Sequence, residues 1–162
     1  MSLAWQLQLL SPLDELHRQS AHRDTRDKVL QAIYTLLLAS GAALHAGWHA
    51  CLRVLERVAT GGAEHAPLIA LAFKSVQLVA SDFLHALSPR ALRRYIAVAG
   101  AYGRQADALN VALTAVGVQW AVADHLAAMQ QQQPPPPHAA LSQPRAAPET
   151  PPAHARLSLI HI

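Results

Sequence analysis

The sequence predicts an all-α fold in which about three helical hairpins stack as part of a solenoid, followed by a disordered tail. The apolar residues, 52% of 162, are mostly Ala, Leu and Val, and aromatic residues make up only 5%, a mix that favours helices over sheets. Apolar positions recur every three or four residues through the first 129 positions, as on amphipathic helices. A third observation is an internal repeat of about 42 residues.

Six helices are predicted in order, separated by Gly and Pro signals. Ser88-Pro89 combines an N-cap residue with a proline in the first helical position, and Gly41, Gly61 and Gly103 are typical of helix ends. Pro12 falls inside the first helix and predicts a kink or a split there. The predicted spans are about 3–18, 25–40, 43–60, 65–86, 89–103 and 107–129.

The repeat is clearest between the fourth and sixth predicted helices. Residues 76–84 align with residues 118–126 at an offset of 42, and Leu71 then falls on Leu113. A period of 40–47 residues built from two helices is typical of HEAT and armadillo arrays, so we expect a HEAT/armadillo-like solenoid. A compact six-helix bundle is the alternative.

The repeat also suggests which large side chains lie inside. The helical spacing predicts that four of them face the core between helices. These are Trp48, Phe73, Leu113 and Trp120.

Composition divides the chain into three parts. Residues 1–129 are the predicted helical repeat region, and residues 130–156 are a Gln/Pro-rich segment holding eight of the eleven prolines, for which we expect disorder. Residues 157–162 back-translate readily to CTGTCTCTTATACACATC, the end of a transposon-based sequencing adapter. We therefore predict that this hexapeptide is a library artefact.

Charge and cysteine content exclude several classes of protein. The net charge of +3 is too small to indicate a nucleic-acid stripe, so no nucleic-acid partner is expected. Cys51 is the only cysteine, which excludes an internal disulfide and fits a reducing compartment. Every apolar run is interrupted before about 18 residues, so we expect no transmembrane helix and at most a peripheral contact with membranes.

No constellation of residues indicates catalysis, a cofactor or a metal. His45 and His49 have the i, i+4 spacing of two ligands but lack a third, and Cys51 in mid-helix is expected to be a small buried side chain. Asp82 and Asp124 are equivalent in the repeat, so a shared structural role, bonding to the adjacent turn, is expected for both. Arg clusters at residues 18–28 and 90–94 are interpreted as solvated rims.

A set of motifs spread over residues 5–129 resembles one known family. Gly47-Trp48 is one of them, and the most specific is the run LN-x-x-LT-x-x-G-x-x-W-x-x-x-D that begins at Leu109. The motif positions, expected to be structural, are Gly47, Trp48, Phe73, Gln77, Asp82, Phe83, Leu109, Asn110, Leu113, Thr114, Gly117, Trp120 and Asp124. The pattern resembles the Mon-two (monensin-sensitivity) trafficking scaffolds, relatives of the BIG/GBF large Arf exchange factors, in the HEAT-like region downstream of the exchange domain.

The resemblance implies a piece of a very large, non-enzymatic scaffold for endosome-to-Golgi retrograde transport. It implies peripheral association with trans-Golgi and early endosomal membranes. The partners that it implies are a Dopey-family protein and an aminophospholipid flippase, with Arf-like GTPases as a further candidate. No cofactor or metal is implied. Two alternatives stay open: a helical regulatory region of an Arf exchange factor, and a generic HEAT adaptor.

Overall fold

A computed structural model describes residues 3–61 and 66–132, and these ranges are helical without any strand. The helices are α1 (Leu3–Gln19), α2 (Arg23–Ser40), α3 (Gly47–Thr60), α4 (Ala66–Leu78), α5 (Pro89–Gly103) and α6 (Leu109–Gln131). A 3₁₀ turn, Gly41–Ala43, follows α2; a π-helical segment, Val79–Phe83, and a 3₁₀ turn, Leu84–Ala86, continue α4. The all-α prediction is confirmed.

The helices form three antiparallel hairpins arranged in two layers. Each odd-numbered helix packs on the helix that follows it, α1 on α2, α3 on α4 and α5 on α6. Along the array, α3 lies between α1 and α5, and α4 lies between α2 and α6. Since each hairpin contacts only its neighbours extensively, the arrangement is solenoid-like, as the repeat predicts.

Apolar side chains from all six helices meet in one core between the layers. Trp48 and Phe73 are buried there, which confirms two of the four predicted core positions. The largest buried side chains come mainly from α2, α3 and α5, where helical spacing places them on one face. They are Trp48, Tyr95, Tyr102, Leu30, Ile33, Leu37, Leu52, Leu55 and Leu68.

The third helix begins four residues later than predicted. Gly41–Ala43 form a 3₁₀ turn, Leu44 is extended, and only Gly47 begins α3. The sequence signal was misleading because Ala42, Ala43 and Leu44 favour helix locally, whereas the chain must turn here to cross between layers. His45 therefore precedes α3 and does not share a helical face with His49.

Glycine ends α2 for a different reason from the one the sequence suggests. Gly41 has φ −53°, an ordinary right-handed conformation. A Cβ on Gly41 would lie 2.5 Å from Cζ of Phe83, a position that the ring must occupy to pack against Trp48. Close approach of a ring, and not a left-handed turn, requires glycine here.

Other helix boundaries agree more closely with the prediction from sequence. Ser88 caps α5 as predicted, its hydroxyl accepting a hydrogen bond from the Ala91 amide at 3.2 Å. Pro12 lies within α1, which is continuous over Leu3–Gln19 instead of split. The predictions for the tail after Gln132, including residues 157–162, lie outside the described residues.

The expectation of no transmembrane helix rested on interrupted apolar runs, and helix length with mean hydropathy gives a different result. Two described segments, Ala66–Ala86 and Leu109–Gln131, are long and apolar enough to pass that test. The first packs into the core, as expected for a central helix of a folded array. The second is mostly exposed, and its surface is unusual.

Candidate functional site: an exposed face of the last helix

The family-motif positions divide into a buried set and an exposed set. Trp48 and Phe73 are buried, and the ring of Phe83 lies 5.9 Å from that of Trp48. Gly47 is buried too, and a Cβ there would lie 2.7 Å from Cδ1 of Leu10 and 2.8 Å from Cδ2 of Leu44. These four residues fit the structural role that the resemblance implies.

The motif positions on α6 have the opposite environment, since all of them are exposed. The run that begins at Leu109 and ends at Asp124 follows one broad side of the helix. Its exposed members are Leu109, Asn110, Leu113, Thr114, Gly117, Trp120 and Asp124. The most specific part of the sequence pattern therefore lies on the surface of the array.

Two predicted core residues belong to this exposed set, which corrects the prediction. The exposed fractions are 63% for Leu113 and 68% for Trp120. Helix α6 buries a different stripe, and at 100° per residue that stripe lies on the opposite side from Leu113 and Trp120. It consists of Val111, Ala115, Val118 and Val122.

The prediction failed because α6 is apolar all round. Either face satisfies helical periodicity, so spacing alone cannot decide which one packs on the neighbouring helices. The signal that could have been used is the second apolar face itself, since a helix with two apolar faces is covered on both sides or exposes one of them. Because Leu113 and Trp120 were predicted to face the core, this surface was missed.

These four residues form a continuous surface strip, which we call the α6 stripe. Leu109, Leu113, Val116 and Trp120 follow one another at intervals of four, three and four residues, and Leu109 is 65% and Val116 48% exposed. This is the spacing of the a and d positions of a coiled coil. No described residue covers the stripe.

The residues beside the stripe are small and uncharged as far as Trp120, and the exposed Asp124 follows one turn later. Asn110, Thr114 and Gly117 lie beside it, and the Thr114 hydroxyl donates to the Asn110 carbonyl 2.7 Å away on the same helix. The position of a Cβ on Gly117 has no atom within 4 Å. Such a surface can accept another apolar helix at close range and offers little charge to keep water near it.

The repeat-equivalent carboxylates do not have the expected role. Asp82 and Asp124 are both exposed, as is the motif residue Gln77, and neither carboxylate bonds to an adjacent turn among the described residues. Asp82 lies in the π-helical segment that follows α4, whereas Asp124 lies in regular helix. The alignment therefore joins positions that differ in local backbone, and the shared structural role is not observed.

Residues considered for metal binding or covalent chemistry lie apart from this face. His49 contacts the Arg94 guanidinium at 3.1 Å, and burial with nearby Arg charges lowers its pKa. Cys51 is buried, and burial raises the pKa of its thiol to about 12, which keeps it protonated at neutral pH. Among residues 3–61 and 66–132, no three His, Cys, Asp or Glu side chains come together as a ligand set.

The odd-numbered helices are joined by ion pairs on their outer surface. Asp14 of α1 accepts from Arg57 of α3 at 2.7 Å and also pairs with Arg53 at 3.2 Å. Glu56 of α3 pairs with Arg94 of α5 at 2.5 Å. Arg94 is thus not a solvated rim residue as predicted, because it links two hairpins, whereas Arg93 beside it is exposed.

A groove of 410 Å³ opens beside these ion pairs, at the N-terminal end of α5. Its wall includes Trp48, His49, Ser88 and Arg90, together with the exposed Leu7 of α1. The groove is open and mixes apolar and cationic groups without a convergent polar arrangement. The α6 stripe is the more distinctive surface and carries the motif.

Comparisons with known proteins agree with the motif. Residues 2–78 match a family model described as "Mon2/Sec7/BIG1-like, HDS". The chain is 38% identical over 119 residues to the "Protein MON2 homolog" of Drosophila melanogaster, and 37% and 35% identical over 120 residues to those of Xenopus laevis and Homo sapiens. No solved structure matches this chain.

Each of these matches covers 74% of this chain and 7% of the relative. The chain therefore spans a small part of the length of the curated relatives that it matches. The matches are too long to be confined to the first four helices, which end at residue 78, so they support the resemblance beyond that residue. On these grounds the chain belongs to the Mon2 family.

Proposed function

We propose that this chain is a segment of a non-enzymatic membrane-trafficking scaffold that acts in endosome-to-Golgi retrograde transport through protein–protein binding. Membership of the Mon2 family supports the class of protein. The observation that carries the binding role is the α6 stripe: a motif of the family occupies an exposed apolar surface, which is the usual mark of a protein contact.

The partners and the location follow from the same family resemblance. The proposed partners are a Dopey-family protein and an aminophospholipid flippase, with Arf-like GTPases as a further possibility. The proposed location is cytoplasmic and peripheral to the trans-Golgi network and early endosomes. A solenoid-like array suits such work because its extended surfaces bind other proteins without needing a catalytic pocket.

The test uses the full-length Drosophila relative with its matching segment replaced by residues 3–131 of this chain. Deleting the part that corresponds to residues 66–131 should weaken sedimentation with Golgi and endosomal membranes, or co-purification of the Dopey-family partner. A double substitution, Leu113→Asp with Trp120→Asp, should act in the same direction. Leu38→Asp is the matched control, because Leu38 is an exposed leucine, 56% accessible, on α2. Normal recruitment and partner capture after the deletion would contradict the proposal.

The alternative is a regulatory region of an Arf exchange factor. It is favoured by the family description, which joins Mon2 with Sec7 and BIG1. Release of a fluorescent nucleotide from an Arf GTPase, measured with and without this chain, separates the two. We expect no acceleration, and exchange well above the intrinsic rate would favour the regulator.

A further inference from the structure

The spacing of the α6 stripe indicates the shape of what covers it. Residues repeating at four, three and four positions lie along a nearly straight seam on a helix. Such a seam is complementary to a second α-helix that crosses at a small angle, about 20°, with side chains packed into the spaces between its neighbours.

The flanks of the stripe indicate the chemistry of that helix. Asn110, Thr114 and Gly117 are neutral, so no charge lies beside the seam between Leu109 and Trp120. The exposed carboxylate of Asp124 lies one turn beyond Trp120, so any selection by charge is confined to the C-terminal end of the seam. The open space at Gly117 allows a helix backbone to approach closely. The fitting occupant is an amphipathic helix with Leu- or Val-type residues at the same spacing.

The internal repeat indicates where such a helix comes from. Leu71 and Leu78 of α4 correspond to Leu113 and Trp120 at the 42-residue offset, and both are half-buried against the core of the array. Helix α4 achieves this because it has helices on both sides, α2 and α6. Helix α6 contacts α4 and α5 on its buried side and has no described helix on the other.

One difference between the two repeats supports a covered seam on α6. Lys74 of α4 is exposed, and its counterpart on α6 is Val116. On α4, this face carries the hydrated charge of Lys74, whereas the equivalent face of α6 has the apolar Val116 at that position. A more apolar seam on the outer helix fits a contact more complete than the one made along α4.

We infer that the α6 stripe is the docking seam for an amphipathic helix of a further hairpin, supplied by the longer polypeptide of which the matched relatives are examples. The relatives extend far beyond the segment that this chain matches, since it covers 7% of their length. The inference rests on the proposed function in treating the stripe as a protein contact. It adds that the contact is made within one polypeptide and continues the array.

The test places a photo-crosslinking residue, p-benzoylphenylalanine, in place of Trp120 in the chimaera of the full-length Drosophila relative. The expected product is a crosslink within one polypeptide, running at monomer mass. Mass spectrometry should assign it to a peptide outside residues 3–131 that has apolar residues at the same four- and three-residue spacing. The same photo-reactive residue in place of Leu38 is the matched control, and it should give several-fold less of this product.

Other products would overturn the inference. A crosslink at dimer mass would assign the seam to a second copy, a crosslink to another protein would assign it to a separate partner, and lipid adducts alone would assign it to a membrane. A crosslink yield from position 120 no higher than that from position 38 would show that nothing covers the seam. A crosslink to another protein would overturn the inference and leave the proposed function intact, whereas normal recruitment after the deletion would remove the proposed function whatever the crosslink shows.

A second variant separates a loss of docking from misfolding. Val116→Lys restores the charge that α4 carries at Lys74, and it should reduce the Trp120 crosslink several-fold in the chimaera. In the isolated chain the same substitution should leave the helical circular dichroism and the melting temperature unchanged, because Val116 is 48% exposed there. An unchanged crosslink yield with Val116→Lys would also overturn the inference.

Discussion

The side chain of Gln6 caps the first turn of α3 from a distant position in the sequence, because its amide oxygen accepts from the Gly47 N–H at 3.3 Å. The same oxygen accepts from the His45 N–H at 3.1 Å, and its Nε2 donates to the Ala43 carbonyl at 2.8 Å. The first four amides of a helix have no partner within it. Helix α1 thus supplies the cap that the sequence around Gly47 lacks.

Gln6→Leu should lower the free energy of unfolding by about 1 to 3 kcal/mol, because it leaves the buried Gly47 amide and two part-buried backbone groups of the preceding turn without partners. Gln8→Leu is the control, since Gln8 lies on the same helix and is exposed. Its effect should stay within about 0.5 kcal/mol. Urea unfolding followed by circular dichroism measures both, and equal midpoints for the two variants would contradict the capping role.

The hydroxyls of two buried tyrosines should contribute measurably to the free energy of unfolding. Tyr95 donates to the Val76 carbonyl at 2.7 Å and Tyr102 to the Leu55 carbonyl at 3.0 Å, which ties α5 to α4 and α3. Tyr95→Phe and Tyr102→Phe should each lower stability by about 1 to 2 kcal/mol, mainly by leaving a buried carbonyl without its bond. Tyr34→Phe, a half-buried control on α2, should be nearly neutral. Equal melting temperatures for all three would show that these bonds add nothing.

Two glycines should respond to alanine with opposite signs. Gly41→Ala should destabilise by more than about 1 kcal/mol, because its Cβ would overlap the Phe83 ring, 2.5 Å away. Gly117→Ala should stabilise the isolated chain by about 0.5 to 1 kcal/mol, since the site is an open position within a helix. Thermal unfolding of both variants measures the difference, and a loss of stability with Gly117→Ala would contradict the exposed position of α6.

Local signals were sufficient for the helical class, the number of hairpins and the start of α5 at Ser88-Pro89. They could not place the start of α3, because its cap comes from Gln6 of another helix and is invisible to neighbouring sequence. They also could not assign the outward face of α6. There the residues facing the core and those facing away, such as Val118 and Trp120, are equally apolar, so only the position of the neighbouring helices separates them.

His17 should make the array sensitive to mild acid. It is fully buried, and both ring nitrogens lack a hydrogen-bond partner among the described residues. Burial, with smaller contributions from Arg26 and Arg57 that outweigh the opposing charge of Asp14, lowers its pKa to about 4. The imidazole is therefore neutral in the folded chain at neutral pH.

Because the folded-state pKa lies below the unfolded value, the unfolded chain binds more protons between about pH 6.5 and pH 4. Stability should thus be greatest above pH 6.5 and fall as the pH drops toward 4, by up to roughly 3 kcal/mol from this group. His17→Leu should flatten the decline over that window, and His22→Leu, an exposed control, should not. Chemical unfolding at several pH values measures this decline. Identical slopes of stability against pH for wild type and His17→Leu would contradict the assignment of the decline to His17.

The two tryptophans of the motif should behave as opposites in the isolated chain. Trp48 is 1% exposed, so Trp48→Ala should cost about 3 to 5 kcal/mol by leaving a cavity in the core. Trp120 is 68% exposed and makes no core contact to lose, so Trp120→Ala should change stability by within about 0.5 kcal/mol. Trp120→Ala should also reduce self-association in sedimentation velocity, because it removes the largest apolar side chain of a surface that would otherwise bind a second copy at high concentration. A large loss of stability with Trp120→Ala would mean that the outward face of α6 packs within this chain, and the stripe could then not serve as a docking surface.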